Sequence, residues 1–184
     1  SVYDQGAVVV TLYGDIQMND LVAQGARPVG SPLVVTRCRD NHVYELDGRP
    51  ALRVMQAVYQ TMTKPDQELF QNSPMVGLGV GNNGDLASSF LVRNVIGVHR
   101  ESGMFAVGWP VRNHQTMQFF VRDAASATAE LNNQATLYYQ QRGKPDGVLL
   151  FACLGRGRSF YGVENHDCDV AKRIFGQSNI GGFF

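Results

Sequence analysis

Lysine is almost missing from this chain. Of 16 basic residues only Lys64, Lys144 and Lys172 are lysine, and the other thirteen are arginine. That bias suits recognition of carboxylate or phosphate by planar guanidinium forks, and equally a genome whose codons favour arginine. Excess charge of either sign is missing too: 16 basic residues face 16 acidic ones. A neutral chain lacks the basic surface that binding to a phosphate backbone requires, so nucleic acid is excluded as a partner. Cysteine is sparse, with Cys38, Cys153 and Cys168 making an odd set without a CxxC pair. This fits reduced thiols in a cytosol-like compartment and argues against a disulfide framework or structural zinc. No apolar run approaches the ~20 residues that span a bilayer, and the first ten residues lack the basic start of a signal peptide. The signatures GxSxG and HExxH do not occur either, which removes the common hydrolase readings, and the glycine-rich stretches 81–85 and 155–162 read as turns rather than as a P-loop or a dinucleotide fingerprint.

What is present suffices for a folded core: 44% apolar and 17% charged residues over 184 positions. The chain enters a strand-like segment almost at once and stops inside another, at 180–184. Domains usually begin and end in polar segments, so a fragment of a longer protein is expected.

In order along the chain, Gly6 to Gly14 reads as a strand between glycine turns. Residues 18–32 read as a loop containing Arg27. Residues 33–39 and 43–46 form a hairpin about Asp40-Asn41, and Leu52, Met55, Val58, Tyr59 and Met62 define a helix from about 50 to 62. The polar stretch 64–74, with Pro65 and Pro74, is the expected linker between a unit at 1–63 and one at 75–184. In the second unit, strands are expected at 75–80, 90–98, 104–109 and 115–121, with a turn at 81–85. Asp123 caps a helix that runs to about Arg142, and Asp167 is a candidate cap for a last helix carrying Val170, Ile174 and Phe175. The fold class is α/β in the wide sense, mixed, with antiparallel strand pairs. Tyr138-Tyr139 and Phe119-Phe120 should each turn one ring outward.

The stretch Gly147 to Gly162 organises the rest. Its apolar run Val148 to Leu154 suits a strand buried on both faces. The run ends at Gly155-Arg156-Gly157-Arg158, a turn that can present guanidiniums to a small anion. Cys153 is a core thiol or, with His166, an acyl-transfer nucleophile. His166 and Cys168 with Cys153 or Asp169 could hold a metal, without the tight spacing of zinc sites. Asn165-His166-Asp167 is a cap and turn, or a set of helix-terminal donors for an anion. Arg93, inside an apolar strand, lies on an exposed face or is buried against a carboxylate or ligand.

Several separate blocks together resemble one family. Residues 147–157, then Phe160-Tyr161-Gly162, Asn165-His166-Asp167 and 180–184 resemble the C-terminal FIST domain. Gln24-Gly25-Ala26-Arg27-Pro28-Val29-Gly30, Val35-Thr36 and residues 45–52 resemble the end of the N-terminal FIST domain. Within the family the chain is similar to the stand-alone bacterial and cyanobacterial type. Family members carry a longer N-terminal half and continue beyond the last phenylalanine.

The resemblance implies two-part sheets with flanking helices. It also implies a non-catalytic sensory module in signal transduction that binds amino-acid-like or other small anionic ligands and has protein partners. Under it the ligand-binding set is Arg27, Arg93, Cys153, Gly155, Arg156, Gly157 and Asn165, with no cofactor and no metal. The expected compartment is the cytoplasm, or the plastid stroma or thylakoid surface in a photosynthetic organism. The competing readings are an accessory or scaffold subunit docking within a larger, possibly photosynthetic assembly, and a Cys/His amidohydrolase built on Cys153.

Overall fold

The computed structural model describes residues 5–7, 9–80, 89–176 and 179–183. The expected turn at 81–85 lies outside the described residues.

A closed barrel dominates the first 121 residues. Its strands are β1 (Arg27–Arg39), β2 (His42–Leu46), β4 (Met75–Val80), β5 (Ser89–His99), β6 (Met104–Val107) and β7 (Thr116–Val121), with the two-residue β3 (Arg49–Pro50) added to β2. The order is β1-β7-β4-β5-β6-β2, closed by pairing of β1 with β2, and every pair is antiparallel. The strand that closes the ring is the longest. The first half of β1 pairs with β7 (Arg27 opposite Val121) and its second half with β2 (Arg39 opposite His42). The register breaks between Val29 and Leu33, where Gly30 takes a φ of +68°. Such a break bends a strand and increases its twist, which is what closing a sheet on itself requires.

Inside the ring, Val35, Val43, Leu46, Phe105, Val107, Met117, Phe119 and Val121 are fully buried. Helix α1 (Ala51–Thr61) adds Ala51, Val54 and Met55 to this core, and α2 (Lys64–Asn72) adds Phe70. The expected linker at 64–74 is therefore mostly a helix. Thr63 caps it by accepting from the Asp66 N–H, and Pro65 sits in the first turn, where its missing N–H costs nothing. Proline marked the start of a helix here. Strands from both sides of that expected boundary share one barrel core. Phe119 and Phe120 are both buried, against the expected outward ring: Phe119 points into the barrel, and Phe120 packs outside it with Met75, Val92, Ala26 and Phe90. Of the tyrosine pair, Tyr138 is half-buried and Tyr139 is 45% exposed.

A smaller layer follows. Helix α3 (Ala124–Arg142) is capped by Asp123, whose carboxylate accepts from the Ser126 N–H at 2.7 Å, and it buries Ala127, Leu131 and Ala135 along one face. Helix α5 (His166–Phe175) packs on it, and β8 (Gly147–Phe151) and β9 (Asn179–Phe183) form a two-stranded parallel sheet beside them. Val148 and Ile180 pack against the cluster of Ala135, Ala171 and Phe175. The other face of the sheet is bare: Leu149 and Phe151 are each 63% exposed and Phe183 71%. The expectation of a strand buried on both faces is thus corrected. Helices cover β8 on one side only. The strand expected at Gly6–Gly14 is not formed either: none of its described residues lies in a strand.

Candidate functional site

Four residues at or just before the start of β1, Ala23, Gln24, Gly25 and Arg27, bind a polar cluster one by one. The Ala23 carbonyl accepts from Arg156 Nη1 at 3.3 Å, and the Gln24 carbonyl accepts from Arg122 Nη2 at 3.1 Å. The N–H groups of Gln24 and Gly25 donate to the two carboxylate oxygens of Glu130 on α3, at 3.2 and 2.5 Å. Arg27 donates from Nε to Asp123 at 3.0 Å and from its terminal nitrogens to Asp66. Gly25 is required twice over. Its φ of +69° suits glycine, and a Cβ there would collide with Arg156 Nη1 and press on Ala127.

Arg156 arrives from the other end of the chain. After β8, a 3-10 turn at Leu154–Arg156 and the short helix α4 (Arg158–Tyr161) bring it back under α5. Its side chain is 7% exposed and holds Asp167 in a two-pronged pair, Nε–Oδ2 at 2.8 Å and Nη2–Oδ1 at 3.3 Å. Asp167 is therefore the counter-charge of Arg156, and the αL residue Asn165 occupies the cap position of α5 without a side-chain cap bond. The Asp167 carboxylate also meets His166 Nδ1 at 2.9 Å, while His166 Nε2 lies 2.9 Å from the Thr128 hydroxyl on α3. Tyr161 stacks flat on the His166 ring, with centroids 3.6 Å apart, and Arg156 Cζ lies 5.6 Å from the Tyr161 centroid.

Arg122 Nε is buried without a hydrogen-bond partner among the described residues, and the buried Tyr161 hydroxyl meets no well-aligned partner there but lies close enough to Asp167 to help hold that carboxyl down. Burial is the main force pushing Tyr161 up to about 12, with the charges of Arg156 and Arg122 pulling the other way. Arg122 has no carboxylate within ion-pair distance among the described residues. It is a half-buried cation whose charge no neighbouring acid is seen to neutralise.

The candidate residues from sequence divide accordingly. Gly155, Arg156, Gly157 and Asn165 border one cluster. Arg156 is committed to Asp167 and the Ala23 carbonyl, and Gly155 and Gly157 are exposed turn residues. Arg27 is occupied by Asp66 and Asp123. Arg93 is half-buried, donates to the Val92 carbonyl at 2.8 Å and lies 4.8 Å over the Trp109 ring, with no carboxylate at ion-pair distance among the described residues. Cys153 is exposed and makes no recorded pair with His166, whose ring is taken by Thr128, Asp167 and Tyr161. Among the described residues no three His, Cys, Asp or Glu side chains converge on a metal position. Sequence reading missed Arg122, Glu130 and Gln24. The available signal was weak: an arginine directly after the apolar run of β7, and a glutamate one turn on from the buried Ala127 of α3.

Three carboxylates lie below their usual range. For Asp66 the bond from Arg27 is the main cause. For Asp167 and Asp123 burial pushes upward, and it is outweighed by Arg156 and His166 in the first case and by Ser126 and Arg27 in the second. A folded-state pKa below the unfolded one gives stability that is complete above about pH 4 and is lost as pH falls through the folded values. Urea midpoints should therefore hold from pH 7 to 5 and drop steeply toward pH 3. A midpoint unchanged at pH 3 would mean that these pairs carry no stability.

Residues 1–49 match the FIST N domain and residues 51–184 the FIST C domain. The chain belongs to the FIST family, a family of sensory and signalling domains. An uncharacterized protein of Mycobacterium tuberculosis (strain ATCC 25618 / H37Rv) is 35% identical over 190 residues, covering all of this chain and 48% of the relative. An uncharacterized protein of Mycobacterium bovis is 32% identical over 188 residues, with the same two shares. The chain thus spans about half the length of the relatives it matches. No solved structure matches it. Among the described residues, no helix is long and apolar enough to cross a membrane.

Proposed function

We propose that this chain is the ligand-sensing part of a non-catalytic signalling protein, and that it takes a small anionic, amino-acid-like molecule at the Arg122–Arg156–Tyr161 cluster. The observation that carries the reading is Arg122, half-buried, without a carboxylate pair among the described residues and with an orphaned Nε–H. A buried donor left without an acceptor costs about 1–3 kcal/mol, and an acceptor oxygen from a ligand would recover it. The Tyr161 hydroxyl offers a second donor nearby. The cluster joins the segment before β1 to α3 and α5, so a ligand there would act on both layers and pass its signal to a protein partner. Three free thiols favour a cytoplasmic setting. A non-catalytic role is supported by the occupation of His166 and by the exposure of Cys153.

A thermal-shift screen with amino acids, keto acids and nucleotides at millimolar concentration tests this. A compound at ~100 times its Kd stabilises by about 2.7 kcal/mol, a visible rise in Tm. Arg122→Gln should then weaken binding by roughly tenfold to a hundredfold, the equivalent of one charge-assisted hydrogen bond, while Arg93→Ala leaves it unchanged. If no compound shifts the wild-type protein, or Arg122→Gln binds as well as wild type, the site is not where the ligand goes.

A further inference from the structure

Arg122 and Arg156 turn the same edge of the guanidinium toward different partners. On Arg156 both prongs of that edge are filled: Nε and Nη2 hold the two oxygens of Asp167 at 2.8 and 3.3 Å. On Arg122 only one is. Nη2 donates to the Gln24 carbonyl at 3.1 Å, and the buried Nε–H beside it has no acceptor among the described residues. A carbonyl brings one oxygen to an edge whose paired N–H groups match the two oxygens of a carboxylate.

The Gln24 carbonyl is one end of a peptide unit whose other end is the Gly25 N–H, and that N–H donates to Glu130 Oε2 at 2.5 Å. In a trans peptide these two groups point in opposite directions. One backbone plane therefore lies between Arg122, which has no carboxylate pair among the described residues, and an acid on α3. If that plane rotates, the residue that must follow is Gly25, now at a φ of +69°, and glycine passes between the two signs of φ without a side chain in the way. The Gln24 side chain ties the same unit to β5, at the Val92 N–H and the Phe90 carbonyl. Whatever turns the plane pulls on the barrel.

We propose that the Gln24 carbonyl is a placeholder for the ligand: a carboxylate takes the Nε–Nη2 edge of Arg122, turns the Gln24–Gly25 peptide away, frees Glu130 and loosens the hold of Gln24 on β5. This rests on the reading of Arg122 as the ligand's anchor and adds how the chain responds. The incoming group replaces the carbonyl at Nη2, supplies the acceptor that Nε lacks and brings the negative charge that Arg122 is without. The displaced peptide groups and Glu130 are left to water or to a donor on the ligand.

NMR titration of the 184-residue chain with acetate, against chloride at equal ionic strength, follows the Arg122 Nε–H and the Gly25 amide together. At ~100 mM acetate, enough to fill a site of millimolar Kd, the Nε–H signal should shift saturably and the Gly25 amide should exchange with solvent at least about tenfold faster, as local opening requires. Gln24→Ala removes both side-chain bonds to β5 and leaves the two arginines in place. It should tighten acetate binding by about tenfold, because the peptide then competes without its tether. An Nε–H shift with unchanged Gly25 exchange overturns the displacement while Arg122 stands as the anchor. No Nε–H shift overturns both. Affinity in Gln24→Ala equal to or below that of wild type also overturns the displacement, since the segment would then build the site instead of filling it.

Discussion

Arg156→Ala is expected to cost about 3–5 kcal/mol of folding stability, the penalty for breaking a buried ion pair from one side. The effect is large because of what stays behind. Asp167 is 10% exposed and would be left with His166 and the neutral Tyr161 hydroxyl in place of a cation's two-pronged grip. The Ala23 carbonyl would lose its donor, and Tyr161 the cation over its ring. Urea denaturation gives the loss directly, as a lower midpoint at similar slope. Asp167→Asn in the same background removes the stranded charge, so the double variant should fall well short of the sum of the two single losses. A loss below about 1 kcal/mol, the scale of exposed pairs, would return Arg156 to the status of a guanidinium free to bind something else.

Phe119→Ala should be comparably severe, about 3–5 kcal/mol. Phe119 is fully buried at the centre of the barrel, edge-on to Phe70 of α2 at 5.8 Å and tilted to Phe105 of β6 at 6.1 Å. No neighbour can close the hole without moving a strand. The shape of the transition matters as much as its midpoint. Because β1–β3 and β4–β7 share this core, circular dichroism and tryptophan fluorescence (Trp109 is the sole reporter) should move together in one cooperative step. Two separated steps would mean that the halves on either side of residues 64–74 fold on their own.

Much of the fold was legible because local rules and the tertiary answer agree. The hairpin about Asp40-Asn41, helices α1 and α3, the Asp123 cap and the strands at 75–80 and 116–121 all follow from periodicity and turn chemistry. The failures share a cause, which is that sequence does not say what will cover a surface. The run after Gly147 reads as doubly buried, yet helices reach only one side of β8. Phe119-Phe120 reads as one ring in and one out, yet the barrel buries one ring and Met75, Val92 and Phe90 bury the other. Residues 64–74 looked like a linker because two prolines flank a polar stretch, and the lone Phe70 that anchors α2 gives no periodic signal.

The site was legible only in outline. Glycine and arginine at 155–157 mark a turn, which the structure has, but sequence does not show Asp167 as the partner that occupies Arg156. Arg27 likewise reads as a free cation in sequence, because its partners Asp66 and Asp123 lie 39 and 96 residues away. Arg122, the cation the structure leaves without a carboxylate pair among the described residues, sits where a strand ends and a cap begins. In sequence it looks like an ordinary boundary charge.

Gln24 carries a consequence of its own. Its backbone is bonded to Glu130 and Arg122, while its side-chain amide accepts from the Val92 N–H at 2.8 Å and donates to the Phe90 carbonyl. One residue thus acts as a rung borrowed from a missing strand, hooked over the lip of β5 and anchored in the charged cluster. Main-chain and side-chain ends are separated by three carbon–carbon bonds, with little slack between them. A displacement of Glu130 or Arg122 therefore has a direct route to the β5 backbone through this one side chain. The Gln24 amide thus ties the rim of β5 to the cluster, beside the Arg27–Asp123 pair on β1 and the direct run of β7 into Arg122.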